Sequence, residues 1–196
     1  MLSLKNSLAV LKKTKALIEG HFILSSGLHS PKYIQCAKLL SLPKLANLIS
    51  SSLAKKIKKK FKKIDLILSP AIGGIIIGYE IGRLLKKETI FCERVNGKFK
   101  LRRGFSIKKN TKVLIVEDVI TTGKSSLECS KLIKKAKAKV IGFACIIDRS
   151  NKDKLKIKKK NIIAKIKIDV PVFKKNNLPM YLKKISTTKP GSRYLK

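Results

Sequence analysis

The sequence predicts an α/β fold in which helices flank a central parallel sheet. Short apolar runs that end at glycine or proline alternate with segments whose apolar residues have helical spacing, and this alternation is typical of consecutive βαβ units. The chain has 196 residues, no internal repeat and no Gly/Ser-rich or Pro-rich linker. We therefore expect residues 1–196 to form a single domain, which is long enough to bury a hydrophobic core.

The N-terminal part of the chain predicts two helices around a turn-rich stretch. Residues 1–20 alternate apolar residues with lysines and predict an amphipathic helix. This segment lacks the compact apolar region and the small-residue cleavage site of a signal peptide. Residues 20–35 are rich in turn formers around short extended pieces, and residues 42–60 return to helical spacing.

The middle of the chain contains the first strands of the predicted sheet. Residues 64–69 form a short apolar run stopped by Pro70, which is typical of a buried parallel strand. Residues 73–85 predict an apolar helix, and residues 89–92 predict a second strand. Residues 93–110 hold seven basic side chains, two glycines and little periodicity, so we expect a mobile loop there.

The remaining elements continue the same alternation. Residues 112–116 predict a third buried strand, residues 125–136 a helix and residues 140–147 a fourth strand. Residues 162–169 have the pattern of an edge or appended strand, and the last thirty residues predict loops and a short helix.

Three loops of this arrangement each follow a predicted strand. They span residues 69–74, 93–104 and 117–125. Because ligands of open parallel sheets bind beyond the carboxyl ends of the strands, we expect these loops to meet at one rim of the sheet and to form the functional site.

The net charge of +36 reflects 47 basic residues against 11 acidic ones. All but six of the basic residues are lysines, and they occur in almost every segment. Nucleic-acid-binding surfaces usually concentrate their charge and use arginine for bidentate contacts. Specific nucleic-acid binding is therefore not predicted, and a compositional drift toward A/T-rich codons accounts better for the lysines. The charge still favours the attraction of anionic substrates.

The same composition predicts a soluble cytoplasmic protein. The hydrophobic fraction of 44% is normal for a globular protein, and no apolar run reaches the roughly 18 residues of a membrane span. Cys36, Cys92, Cys129 and Cys145 form no C-x-x-C pair. We therefore expect buried free thiols in a reducing compartment, with neither a disulfide framework nor a cysteine metal site.

The strongest functional signal is the segment VLIVEDVITTGKSS at residues 113–126. An apolar strand leads into a turn in which Thr121, Thr122 and Ser125 offer hydroxyl groups. Gly123 allows a ligand to approach the backbone closely, and the start of the following helix favours an anion. This turn therefore predicts a phosphate-binding site.

Two adjacent acids, Glu117 and Asp118, precede that turn. Carboxylates do not suit a phosphate, but they accept hydrogen bonds from vicinal hydroxyls or lie near a metal ion. A phosphate and a diol on one ligand describe a ribose 5-phosphate. A P-loop is excluded because Asp118 occupies the position of its first glycine, and a simple capped turn leaves the paired acids unexplained.

This segment resembles the phosphoribosyl pyrophosphate signature of the type I phosphoribosyltransferases. Further segments are similar to the orotate-specific members of that family. They are residues 20–33 (the N-terminal hood), 69–75 (the pyrophosphate loop), 93–105 (the flexible catalytic loop), 147–149 (the strand end that contacts orotate) and 189–193 (the closing segment).

The resemblance implies a type I phosphoribosyltransferase-like fold, with a core at about residues 42–150 and a small hood formed by N- and C-terminal segments, at about 20–40 and 160–196. It implies transfer of the ribose 5-phosphate group from phosphoribosyl pyrophosphate to orotate, with Mg²⁺ as cofactor. It also implies a homodimer in which the loop at 93–104 is shared across subunits.

The resemblance also assigns roles to individual residues. Those implied to be catalytic are Arg94, Lys98, Lys100 and Asp118, with Arg102 and Arg103 as secondary contacts to pyrophosphate. Those implied to bind phosphoribosyl pyrophosphate are Ala71, Ile72 and Gly73, through backbone amides around a cis peptide, and Glu117, Asp118, Val119, Ile120, Thr121, Thr122, Gly123, Lys124 and Ser125. Those implied to contact orotate are Thr121, Arg149 and Tyr33. No set of protein ligands that holds the metal by itself is predicted.

The chain departs from the family pattern at three places. Ser25 and Gly73 stand where many members have lysine, and the loop at 93–104 lacks a histidine that many members have. His21 and His29 have no partner that the sequence reveals. Two alternatives stay open: a phosphoribosyltransferase for a purine or uracil, and a nucleic-acid-binding regulator of the same fold. A core role for Tyr33 and a surface ion pair between Arg149 and Asp148 also stay open.

Overall fold

The computed structural model of the protein describes residues 2–24, 26–151 and 154–190. The strands are β1 (Leu17–Ile23), β2 (His29–Ile34), β3 (Leu66–Pro70), β4 (Glu88–Val95), β5 (Lys98–Leu101), β6 (Lys112–Ile120), β7 (Lys139–Asp148), β8 (Ile162–Lys167) and β9 (Thr187–Thr188). The helices are α1 (Leu4–Lys13), α2 (Cys36–Leu40), α3 (Pro43–Lys60), α4 (Gly73–Leu85), α5 (Lys124–Lys135) and α6 (Met180–Lys183).

The large sheet has the strand order β5-β4-β3-β6-β7-β8 in the described part of the chain. Its strands are parallel, except that β5 pairs antiparallel with β4. One face packs against α1 to α4 and the other against α5, so a hydrophobic cluster lies on each side of the sheet. The predicted α/β fold with a central parallel sheet is therefore confirmed. None of the helices within the described ranges has the length and apolar character of a transmembrane segment.

Glycines bring α4 close to the sheet. Gly74, Gly78 and Gly82 recur every four residues and therefore lie on one helix face. A Cβ at Gly78 would overlap the side chain of Ser69 in β3, and one at Gly82 would overlap Thr89 in β4. The helix that follows the pyrophosphate loop is thus held at a separation from the sheet that larger residues would not allow.

The small sheet has the order β2-β1-β9 and forms the hood. The predicted helix at 1–20 is too long: it ends at Lys13, and Lys15 has a positive φ of 53°. Leu17, by contrast, is buried and pairs with β2, so the burial of this segment outweighs its helical spacing. The C-terminal part of the hood also begins later than residue 160, because β8 pairs with β7 in the large sheet.

The prediction of a loop at residues 93–110 is wrong for the first part of this segment. Strand β4 continues to Val95, and β5 returns antiparallel after a two-residue turn. That turn is Asn96-Gly97, and both residues have positive φ, 50° and 75°. Asn-Gly is the strongest short-range hairpin signal, but the density of basic residues concealed it.

His21 and His29, which had no partner that the sequence revealed, form a hydrogen bond with each other in the hood. His21 Nδ1 lies 3.0 Å from the carbonyl oxygen of Ile185, which only accepts hydrogen bonds, so Nδ1 carries the proton. His21 Nε2 lies 2.6 Å from His29 Nδ1, so the two rings are hydrogen-bonded. The histidine pair therefore connects β1, β2 and the chain just before β9.

We expect this pair to make the stability of the protein depend on pH. Burial, followed by the nearby His21 and Lys175, lowers the pKa of His29 below its usual value of 6.5. The folded state then binds fewer protons than the unfolded state below that pH, so stability is lost as the pH falls. Between about pH 7.5 and 5, the melting temperature of the wild type should decrease more steeply than that of His29→Asn, which keeps a donor near the Nδ1 position. Equal slopes in thermal unfolding followed by circular dichroism would contradict this expectation.

Candidate active site

The predicted phosphate-binding turn lies between β6 and α5, at the carboxyl end of the sheet. Gly123 has a left-handed backbone, with φ 68° and ψ 17°, and a Cβ at this position would lie 2.9 Å from Ile157. Both the conformation and the space therefore require glycine. Thr121 and Thr122 are exposed, and the helix begins at Lys124. Exposed hydroxyls thus lie beside the N–H groups of a helix start, an arrangement that binds phosphate.

The predicted third strand, 112–116, is too short, because β6 continues to Ile120 and includes Val119 and Ile120, which were expected in the loop at 117–125. Ile120 is 1% exposed and belongs to the core, while its carbonyl accepts the N–H of Arg149 at 3.0 Å. Val119 is partly buried and donates its N–H to Asp118 Oδ1 at 2.8 Å. Any contact of Ile120 with a ligand therefore uses main-chain atoms.

The adjacent acids of β6 point to opposite faces of the sheet, as successive strand residues do. Asp118 lies toward the start of α4, and burial raises its pKa while the N–H of Val119 opposes that shift. Glu117 is 7% exposed and lies toward α5, where Ser126 Oγ donates to its carboxylate. Burial raises the pKa of Glu117 to about 7, and the hydrogen bonds from Ser126 oppose that shift.

The predicted pyrophosphate loop lies directly beside Asp118. A Cβ placed on Gly73 would be 2.7 Å from Asp118 Oδ2, so any larger residue there would displace the carboxylate. The Ala71–Ile72 peptide bond is cis, and the N–H of Ala71 donates to the carbonyl of Cys92 in β4. The loops at 69–74 and 117–125 therefore meet at one rim of the sheet, as expected.

The hairpin of β4 and β5 reaches the same rim but folds against α5. Arg94 forms an ion pair with Glu128 at 2.9 Å, donates to the carbonyl of Gly97 and lies 4.1 Å above the ring of Phe99. An exposed ion pair of this kind contributes only about 0.2–1 kcal/mol. The ion pair by itself therefore holds the hairpin against α5 only weakly, and the buried ring of Phe99 adds an apolar contact.

The basic residues predicted in this hairpin do not share one face. Arg94 is paired across the ladder with Phe99, whose ring is buried on the side of α5. Lys98 and Lys100 flank Phe99 in β5, so their side chains project from the opposite face and are exposed. Arg102 and Arg103 both pair with Glu93.

The predicted orotate contacts lie at the end of β7 and in the hood. Arg149 is half-buried, and its burial lowers the pKa of the guanidinium while nearby Tyr33 opposes that shift. Among the described residues no carboxylate forms an ion pair with Arg149, and Asp148 instead accepts the N–H of Ser150 at 2.9 Å. Tyr33 also packs against Phe22, with ring centroids 5.7 Å apart. A partly desolvated cation without an acidic partner favours the binding of an anion.

Sequence reasoning missed three contributors to this site. Ser126 donates a hydrogen bond to Glu117, and Glu128 forms an ion pair with Arg94. The segment 155–157 packs against Gly123 of the turn. In that segment the N–H of Lys156 donates to the carbonyl of Thr122 at 2.8 Å. No local pattern marks these residues, because each acts through a contact between two different structural elements, and the packing of those elements decides whether the contact forms. Ser25 and residues 191–193 of the closing segment lie outside the described residues.

The residues present fit a magnesium ion that is shared with a substrate. Within the described ranges no group of three or more His, Cys, Asp or Glu side chains could hold a metal ion. Mg²⁺ does not require such a group, because it is usually bound by one or two carboxylates together with substrate phosphates and water. Asp118, partly exposed beside the pyrophosphate loop, is a carboxylate of this kind.

Comparison with known proteins identifies the family. Residues 36–177 match the family model described as "Phosphoribosyl transferase domain". The chain is 45% identical over 185 residues to the orotate phosphoribosyltransferase of Parvibaculum lavamentivorans, an alignment that covers 94% of each protein.

Solved structures show the same fold. The orotate phosphoribosyltransferase of Aeropyrum pernix has a TM-score of 0.69 at 21% identity, covering 82% of this chain and 92% of that one. The adenine phosphoribosyltransferase of Thermoanaerobacter pseudethanolicus has a TM-score of 0.60 at 20% identity, covering 70% and 88%. Because the fold accommodates different bases, specificity has to be sought in the site and in the more similar relative. The chain belongs to the type I phosphoribosyltransferase family, and it is similar over nearly its whole length to an orotate-specific member.

Proposed function

We propose that the chain transfers the ribose 5-phosphate group of phosphoribosyl pyrophosphate to orotate, which yields orotidine 5′-phosphate and pyrophosphate in pyrimidine biosynthesis. The observation that carries this proposal is Arg149. It is a half-buried guanidinium without an acidic partner among the described residues, placed beside the phosphate-binding turn. A guanidinium suits the carboxylate of orotate, because the two carboxylate oxygens can accept parallel hydrogen bonds. Uncharged bases offer no such carboxylate.

The reaction needs no protein nucleophile. A ring nitrogen of orotate that has already lost its proton forms a bond to the anomeric carbon while the bond from that carbon to pyrophosphate breaks, and the leaving group keeps the electron pair. Positive charge develops on the sugar and negative charge on pyrophosphate. The chain contributes by positioning: the turn at 119–125 holds the 5′-phosphate, and the loop at 71–73 binds pyrophosphate through its amides.

The acids and the hairpin complete this arrangement. Asp118 accepts hydrogen bonds from the ribose hydroxyls. Glu117 is not proposed as a second contact to the sugar, because its carboxyl group is buried on the opposite face of β6. Bound Mg²⁺ would neutralise charge on the diphosphate, with Asp118 as its protein ligand. Arg94, Lys98 and Lys100 stabilise the departing pyrophosphate when the hairpin closes and excludes water.

A spectrophotometric assay tests this function directly. Orotate absorbance should fall when Mg²⁺ and phosphoribosyl pyrophosphate are added, and it should stay constant without either. Uracil, hypoxanthine and adenine serve as competing substrates under the same conditions. Consumption of one of these bases in place of orotate would show a phosphoribosyltransferase of different specificity.

We further propose that the chain is a homodimer. Ile72, Ile76 and Tyr79 are 86%, 51% and 67% exposed, and their spacing places them on one face at the start of α4. Exposed apolar stripes of this kind mark association surfaces, and an isologous contact between two copies would cover both stripes. The stripe begins at the pyrophosphate loop, so a partner bound there lies near the active site.

A mixed dimer tests whether the hairpin acts on the neighbouring subunit. One copy carries Asp118→Asn, and the other carries Arg94→Gln, Lys98→Gln and Lys100→Gln together. Each homodimer should be inactive, whereas the heterodimer, purified with two different tags, should recover about half of the wild-type activity, because one of its two sites is complete. A heterodimer as inactive as its parents would show that the hairpin serves its own subunit.

We propose the cytoplasm as the compartment. The four cysteines are free thiols, including Cys92 and Cys129, whose sulfur atoms lie 3.4 Å apart. Neighbouring thiols of this kind fit a reducing environment.

A further inference from the structure

Glu117 connects the two elements that flank the phosphate-binding turn. It lies near the end of β6, and its carboxylate accepts hydrogen bonds from both the side chain and the backbone N–H of Ser126 in α5. Ser126 is fully buried, and Glu117 is 7% exposed. The pair is therefore shielded from solvent. Hydrogen bonds contribute more in such a buried environment than they do in water.

Helix α5 needs this contact because it lacks a local cap. Its N-cap residue is Gly123, which has no side chain to accept the N–H groups of the first turn. Ser126 lies three residues later, at the position where a capping side chain usually accepts. An oxygen of the Glu117 carboxyl group takes over this function from the preceding strand.

The hydrogen-bonded pair of Glu117 and Ser126 holds the phosphate-binding turn from its buried side. The turn leaves β6 after Ile120 and enters α5 after Gly123, and Glu117 and Ser126 join the strand and the helix on either side of it. If the pair is broken, α5 can shift relative to β6. The helix N–H groups that bind phosphate would then no longer be held at a set distance from Asp118, which faces the sugar.

We infer that Ser126 is a positioning residue of the ribose-phosphate site, which acts through Glu117 to hold the phosphate-binding turn between β6 and α5. This inference rests on the proposed function for its substrate. Ser126 itself is buried behind the turn and does not touch the ligand. Its effect is therefore on the affinity for the ribose-phosphate part of the substrate, more than on the chemical step.

Ser126→Ala tests the inference against two matched variants. It should raise the KM for phosphoribosyl pyrophosphate about tenfold, with a smaller change in kcat, because a buried hydrogen bond that holds the turn is lost. Ser126→Thr keeps the hydroxyl and should restore most of the affinity. Ser130→Ala removes another buried hydroxyl of α5, which donates to the carbonyl of Ser126 and not to Glu117. It should lower the melting temperature without raising that KM.

A binding measurement separates this inference from the proposed function. The dissociation constant of ribose 5-phosphate, measured by calorimetry, should rise in Ser126→Ala by a factor similar to that in KM, and this measurement does not depend on orotate turnover. In the background of Glu117→Gln, Ser126→Ala should add little, because the two residues act as a pair. Wild-type affinity in Ser126→Ala, or equal losses in Ser126→Ala and Ser130→Ala, would overturn the inference. Failure of the wild type to consume orotate would overturn the proposed function alone.

Discussion

Replacement of Asp118 by asparagine is expected to lower kcat/KM by about three orders of magnitude, since removal of one preorganised electrostatic group from an active site typically costs 10²–10³ in rate. Asp118 lies against Gly73 of the pyrophosphate loop and at the entry to the phosphate-binding turn. It is thus the acid placed to accept hydrogen bonds from the sugar and to bind the metal ion. Asparagine keeps the shape but loses the charge. The rate of orotate consumption measures the effect.

Asp65→Asn is the matched control. Asp65 is exposed, and its carboxylate accepts a hydrogen bond from the N–H of Lys112 at 2.9 Å. Lys112 is the first residue of β6, so this contact lies at the opposite end of the strand from Asp118. Its replacement should leave kcat/KM near the wild-type value. Asp118→Asn with the activity of Asp65→Asn would show that Asp118 does not contact the reacting sugar.

Replacement of Arg149 by glutamine is expected to raise the KM for orotate about 100-fold, because two charge-assisted hydrogen bonds to one carboxylate are lost. The affinity for phosphoribosyl pyrophosphate should change little. Arg149 follows β7, whereas the phosphate-binding turn is held by β6 and α5. Steady-state kinetics with each substrate varied in turn separates the two affinities. Arg149→Lys should recover little of the loss, since an ammonium group lacks the planar pair of donors.

Arg83→Gln serves as the control for the loss of an arginine. Arg83 pairs with Glu80 on the exposed surface of α4, away from the carboxyl end of the sheet. Its replacement should leave both KM values unchanged. An unchanged KM for orotate in Arg149→Gln would remove the main support for orotate as the base.

Local sequence patterns were sufficient to predict secondary structure where one kind of interaction dominates. The helix that begins at Gly73 was predicted with its observed bounds, and the strand that leads to Glu117 was predicted with its observed start, although it continues to Ile120. In both segments, periodicity and burial favour the same structure. At residues 14–20 they disagree: the helical spacing continues, but Leu17 is buried in the hood and pairs with β2. Pairing with a distant segment decided the outcome there, and no window of sequence contains that information.

The features of the active site also divide into those that the sequence predicted and those that depend on tertiary packing. The motif at 113–126 predicted the turn, its glycine and the two acids, because the choice of residues there follows from the ligand and from the local backbone. The directions of the two acids could not be predicted with equal certainty. Alternation in β6 sends Glu117 toward α5 and Asp118 toward α4, so which acid faces the sugar depends on which helix covers which face of the sheet.

The sequence by itself determined the α/β class, the place of the phosphate-binding turn and the family, because each depends on short-range patterns of apolar residues, glycines and acids. Only the tertiary structure decided the contacts between distant elements: the histidine pair of the hood, Arg94 with Glu128, and Glu117 with Ser126. The physical reason is that a hydrogen bond or an ion pair depends on a separation of a few ångströms. That separation is set by the packing of helices and strands against one another, which the spacing of residues along the chain does not record.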